Sequence, residues 1–154
     1  MKKIELGQAI GIVANVGVIG GLLFLTMEVR QNTAQMRAQA AYSINQSVET
    51  LNQAVFQDRE FADLLVRGEQ SFDDLDPIDR RRLVAYFYQE IDLADYILKL
   101  EEEGLSDLHF DYVDFKIEQF RSTAGRREFV ESVVRGSDPG YFGSADLYRR
   151  LVGE

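Results

Sequence analysis

The stretch AIGIVANVGVIGGLLFLTM, residues 9–27, runs nineteen positions without a charged side chain. With residues 6–8 in front of it, a helix over this run is about 33 Å long at 1.5 Å per residue. That matches the roughly 30 Å hydrocarbon core of a bilayer. The stretch is therefore read as a transmembrane anchor over residues 1–27, and residues 28–154 as an acidic helical domain.

A cleaved leader is the competing reading of such an N-terminus, and Lys2 and Lys3 supply its basic start. The apolar run nevertheless exceeds the 7–15 residues of a leader's core. The nearest small-x-small triplet, Ala38-Gln39-Ala40, lies beyond Glu28, Arg30 and Arg37. A retained anchor is expected. Its orientation is balanced, because Lys2 and Lys3 on one side face Arg30 and Arg37 on the other.

Residues 28–154 carry 15 basic and 25 acidic side chains, a net charge near −10 with the single histidine neutral. Such a surface repels phosphate, and the basic runs are short: residues 80–82, 126–127 and 149–150. Nucleic acid is not expected as a partner. The absence of cysteine removes disulfides, thiolate catalysis and cysteine-ligated metals together.

Glycine, Asp-Pro and serine signals divide the rest of the chain into helices, with no alternating strand pattern of useful length. The fold class is all-α, with the membrane helix continuing into a small helical bundle. Ala41, Ile44, Val48, Leu51 and Val55 form a stripe at spacings of three and four. That stripe packs either on the chain's own later helices or in a coiled coil between chains. A bend is expected at Asp58-Arg59-Glu60, then a short helix carrying Phe61, Leu64 and Leu65 inward and stopping near Gly68.

Asp76 and Pro77 suit the N-cap and first position of a helix running to about Glu103, with Gly104 as its stop. Its inward residues are Leu83, Phe87, Ile91, Ala94 and Leu98, flanked by Tyr86 and Tyr96. Ser106 is expected to cap a helix over 107–122 with Phe110, Val113, Ile117 and Phe120 inside. Another is expected over 124–135 with Phe129, Val130, Val133 and Val134 inside, ended by Gly136. After a turn over 137–140, Ser144 caps a last helix through Leu151. There is no internal repeat or low-complexity tract.

Within the anchor, Gly7, Gly11, Ala14, Gly17 and Gly21 fall on one third of the helix surface, and Gly7/Gly11 and Gly17/Gly21 are GxxxG pairs. Small residues on one face let membrane helices approach closely, and Asn15 beside them can hydrogen-bond across such an interface. Gln8 and Thr26 are the other polar groups of the run. Next come Glu28 and Val29 and then Arg30, Gln31, Asn32 and Thr33, a membrane-exit segment in which Arg30 reaches toward headgroups.

The apolar span followed by hydrophobe-Arg-Gln-Asn-Thr, a long helix, an Arg-rich helix start at 79–82 and the late Gly125-Arg126 element resembles a family of short, uncharacterised bacterial single-pass inner-membrane proteins. The resemblance implies an inner-membrane location and brings no activity with it. Members often carry acids before the span and more basic residues after it, which implies a cytoplasmic domain. Lys2 and Lys3 depart from that pattern.

The acids and the lone histidine complete no catalytic or metal pattern. Asp107, Asp111, Asp114 and Glu118 share one side of a helix, as oxygen ligands or as a solvated face. His109 has Ser106 three positions before it, which excludes a Glu-x-x-His di-iron bundle, and no Gly-x-Ser-x-Gly turn or phosphate-cradling glycine loop occurs. Periodicity places Asp92 and Asp95 toward the rim of their helix. No catalytic residue, cofactor or metal site is assigned. The expected role is assembly, as a homo-oligomer or an accessory subunit among membrane lipid and other membrane proteins. The alternative is a tethered sensor whose tyrosines and phenylalanines between Leu83 and Phe120 line an apolar pocket.

Overall fold

The computed structural model describes residues 6–106, 112–138 and 145–153, the backbone alone at Leu6 and Gly7. The chain is all-α, with no strand among the described residues. It divides into two units, residues 1–39 and 40–154. Among the described residues there are six α-helices: α1 (Leu6–Gln57), α2 (Arg59–Gln70), α3 (Pro77–Glu102), α4 (Tyr112–Ser122), α5 (Ala124–Phe129) and α6 (Ala145–Val152). A π-helical segment, Val130–Val134, continues α5.

The division at residue 39 falls later than the end of the apolar run at Met27. The reason is where burial begins: Ala40 is the first buried residue of α1. From there Ala40, Ile44 and Leu51 enter the core, with Val48 and Val55 against it. The stripe thus packs on the chain's own bundle. Its first member is Ala40 and not Ala41, which is exposed; steps of three and of four before Ile44 both suit a helix, and Ala40 is the one that is buried.

Asp58 breaks the backbone between α1 and α2 and caps α2, its carboxylate accepting from the Phe61 amide at 3.0 Å. Contrary to expectation, α2 does not stop at Gly68 but continues to Gln70. Gly68 is buried inside the helix, with a negative φ, and its missing side chain serves packing. A Cβ at Gly68 collides with Leu83, and one at Gly125 collides with the Gly68 carbonyl itself. Two glycines therefore let α2 and α5 cross at near backbone contact.

Asp76 caps α3 as read from sequence, accepting from Ile78 at 2.8 Å and Asp79 at 3.1 Å. Gly104 ends it in the left-handed region at φ +67°. The buried arc of α3 is wider than the expected stripe. Leu83, Phe87, Ile91 and Ala94 are joined by Glu90, Leu93, Asp95, Ile97 and Leu100, whereas Leu98 is only partly buried. Asp95, expected at the rim, is 8% exposed. The cause is that α2 and α4 both pack on α3, so more than one stripe is covered.

In α4, Val113, Ile117 and Phe120 are buried as expected. The helix expected over 124–135 is split. After Phe129 the turn widens, with the Arg135 amide donating to Val130 at 2.8 Å, five residues back. Phe129, Val130 and Val134 are buried and Val133 packs at the edge of the core. The expectations for Asp107, His109, Phe110, Asp111, Pro139, Gly140 and Ser144 lie outside the described residues. Phe72, Phe87, Phe120 and Phe129 form the centre of the core, with edge-on ring pairs such as Phe87–Phe129 at 5.1 Å.

The α2–α5 crossing yields a stability test. Gly125→Ala is expected to cost roughly 3 kcal/mol or more, because backbone on both sides must separate. Gly136→Ala, which meets only ordinary van der Waals contact, is expected to stay within about 1 kcal/mol of wild type. Urea unfolding midpoints of the two variants check the contrast.

Candidate functional site

Two features stand out, one in each unit. In the first, every large apolar side chain from Ile10 to Val29 is more than half exposed. The segment is long and apolar enough to cross a membrane, with a mean hydropathy of 2.1 over its best window and none of that window buried. A soluble core helix of that composition would be covered by its own chain. Here none of it is buried among the described residues.

The small-residue face is open in the same way. A Cβ built on Gly11, Gly17 or Gly21 meets nothing within 4 Å, and Ala14 and Asn15 are exposed. The Asn15 amide has no hydrogen-bond partner among the described residues. Thr26 turns its hydroxyl back to the Leu22 carbonyl at 2.8 Å, which satisfies it without a neighbour. In the exit segment, Arg30, Gln31 and Asn32 are exposed, and Thr33 donates to the Val29 carbonyl at 2.9 Å. The structure places these residues on one continuous helix.

The second feature is a buried charge cluster in residues 40–154. Arg126, 1% exposed, donates from Nη1 to Glu90 Oε2 at 2.6 Å and from Nε to Glu69 Oε1 at 2.9 Å. Its guanidinium lies 4.6 Å from the Phe87 ring centroid and 4.9 Å from that of Phe120. Glu90, 2% exposed, also accepts from Lys116, which reaches Gln119 Oε1 at 3.1 Å as well. Two carboxylates and two cations thus balance inside the core. The helix crossing at Gly68 and Gly125 is what sets Arg126 down between the rings.

Tyr86 and Tyr112 border this cluster. Burial, with the Glu90 charge next in weight, pushes the Tyr86 phenol up to about 12 and moves Tyr112 upward as well. None of Glu69, Glu90, Lys116 or Arg126 lines either larger cavity of the bundle. Arg126 and Glu90 are buried while Glu69 and Lys116 reach the cluster's more exposed edge, and the chemistry of the buried pair is that of a structural clasp. Sequence reading took Arg126 only as part of a motif and passed over Glu90 and Lys116. Glu90 carried a usable signal, since it stands three residues after Phe87 and seven after Leu83, on the inward face.

Of the four-acid face, Asp114 pairs with Arg150 and Glu118 is exposed. No group of three or more metal-ligating side chains occurs among the described residues. Asp92 sits at the rim as read, where partial desolvation and then the Asp95 charge push its carboxyl above the ordinary value. Asp95 accepts from Lys99 at 2.6 Å, and its Oδ1 has no hydrogen-bond partner. Of the aromatic residues between Leu83 and Phe120, Tyr86 and Phe120 pack on Phe87, Tyr88 packs on Phe129, and Tyr96 and Phe120 each line a cavity.

Compared with models of protein families, with curated proteins and with solved structures, the chain matches none.

Breaking the clasp from one side is expected to be severe. Arg126→Leu leaves Glu90 and Glu69 without their shared guanidinium and should cost about 3–5 kcal/mol in chemical denaturation. Alkaline pH probes the same region. In the unfolded chain Tyr86 deprotonates near 10 and in the fold near 12, so between those values stability falls as pH rises. Tyr86→Phe should flatten the fall in urea midpoint between pH 9 and 11.5.

Proposed function

We propose that this chain is a single-pass protein of the bacterial inner membrane that acts in assembly, as a homo-oligomer or an accessory subunit, and carries out no catalysis. The observation that supports it most is the unburied apolar half of α1. An apolar surface of that extent in water would drive aggregation, whereas lipid covers it at no cost. Lipid offers no hydrophobic drive between helices, so association there rests on close packing and polar contacts. The face of Gly7, Gly11, Ala14, Gly17 and Gly21, with Asn15 beside it, supplies both.

Arg30, Gln31, Asn32 and Thr33 fit the interface, where an exposed guanidinium and amides meet headgroups and water. The layout that resembles the uncharacterised inner-membrane family points the same way, and it tilts the orientation only slightly towards a cytoplasmic bundle because Lys2 and Lys3 depart from that family's charge pattern. The acidic surface, with residues 40–154 at 13 basic and 24 acidic side chains, makes anionic lipid and nucleic acid poor partners for the bundle itself.

Carbonate washing should leave the chain in the membrane pellet. Crosslinking in native membranes should capture a dimer or a fixed partner, and Gly17→Leu with Gly21→Leu should reduce that product at least threefold. Val16→Leu, an apolar swap on the opposite side of the span, should not. A chain extracted by carbonate, or one that is monomeric and partnerless in membranes, would sink the reading.

A further inference from the structure

We propose that the bundle holds a binding site for a small amphipathic carboxylate, an anionic head on an apolar body. This goes beyond assembly and does not depend on it. The site is a cavity of about 650 Å³ between the end of α4, α5, the π-helical segment and the end of α6. That volume lies in the range of small-molecule pockets. Its floor is apolar: Phe120, Val130, Leu151 and Val152, each side chain held in the core from behind.

Arg121 and Arg127 stand on its rim. Among the described residues neither has a carboxylate partner, nor do Arg59 and Arg81, whereas the other seven arginines of residues 40–154 do. Arg127 is oriented by donating from Nη1 to the carbonyls of Arg121 at 3.3 Å and Ser122 at 3.1 Å. Its Nε and Nη2 stay free for an anion.

The acids of the lining are already engaged. Asp73 pairs with Arg80 and Glu131 with Arg135. Glu128 accepts from the Phe72 amide at 2.7 Å, the Asp73 amide at 3.1 Å and the Ser71 hydroxyl at 3.3 Å. The lining itself holds three acids against two arginines; with Arg80 and Arg135, which pair with two of those acids from outside it, the local charge among the described residues is +1 in a unit whose net charge is −11. The two uncommitted guanidiniums above an apolar floor therefore complement one negative head and an apolar body. A guanidinium pairs bidentately with a carboxylate, which gives the head its orientation.

The test uses the full chain in phosphatidylcholine nanodiscs, with empty nanodiscs subtracted, and 4-phenylbutyrate as the probe in calorimetric titration at low salt. Saturable binding below about 1 mM is expected, the range open to a ligand of this size. The amide and amine analogues, 4-phenylbutanamide and 4-phenylbutylamine, should bind at least tenfold more weakly. Arg121→Glu should abolish binding while leaving the melting temperature within a few degrees, since that side chain makes no polar contact among the described residues. Arg127→Gln should weaken binding severalfold. No saturation up to 10 mM, equal binding of the amide or amine, or full binding by a folded Arg121→Glu protein would each overturn the proposal.

Discussion

The bundle depends on one buried ion pair, Arg126 with Glu90, made between helices far apart in sequence. A guanidinium that is 1% exposed has lost its water, and the loss is tolerable only because every face of it is answered. Two carboxylates take its hydrogens and two aromatic rings take its flat faces. Remove any of these and a charge remains in a medium that does not screen it. The arrangement is therefore intolerant of shifted packing, and it ties α2, α3 and α5 into one relative placement.

That intolerance accounts for the two glycines beside it. For Arg126 to reach both Glu69 on α2 and Glu90 on α3, α5 must lie against α2 more closely than any side chain permits. Gly68 and Gly125 face each other at that crossing. The constraint also bears on the wide turn at Val130–Val134. Extending the helix with a π segment there changes the angular position of the later residues, so that Val134 reaches the core while Arg126 keeps its position. Charge placement is the primary demand, and backbone irregularity accommodates it.

How much of the fold the sequence disclosed depends on how local each signal is. The Asp76-Pro77 cap and the Gly104 stop are written in two or three adjacent residues and could be read directly. The inward residues of α4 and most of those of α3 obey helical periodicity, which is also local. The failures have non-local causes. Gly68 looks like a helix stop in one dimension and is a packing site in three, because its meaning depends on Gly125 more than fifty residues away. Asp95 looks like a rim residue until the second helix covering that side of α3 is known. Glu90, Lys116 and Arg126 are charged residues whose burial makes sense only as a group, so reading each alone assigns them to the surface. The apolar stretch was legible in full because composition over nineteen consecutive positions decides it.

The two halves of α1 show the same helix geometry meeting opposite solvent problems. From Ala40 onward, apolar residues occur on one stripe and are buried by the bundle, with polar residues left to water. From residue 9 to 27 they occur all round, and no stripe could bury them. A helix apolar on every side is stable only where the surrounding medium is itself apolar, since a single partner covers one face at most. Its small-residue face then gains meaning by contrast with the bulky residues elsewhere on the span. Lipid chains pack readily over valine, leucine and phenylalanine, but a row of glycines leaves a shallow groove that another helix fills better than a mobile acyl chain does. The composition of this stretch thus separates its surface into a bulky apolar part and a small-residue face, which is the physical basis for proposing that the chain is a component of an assembly.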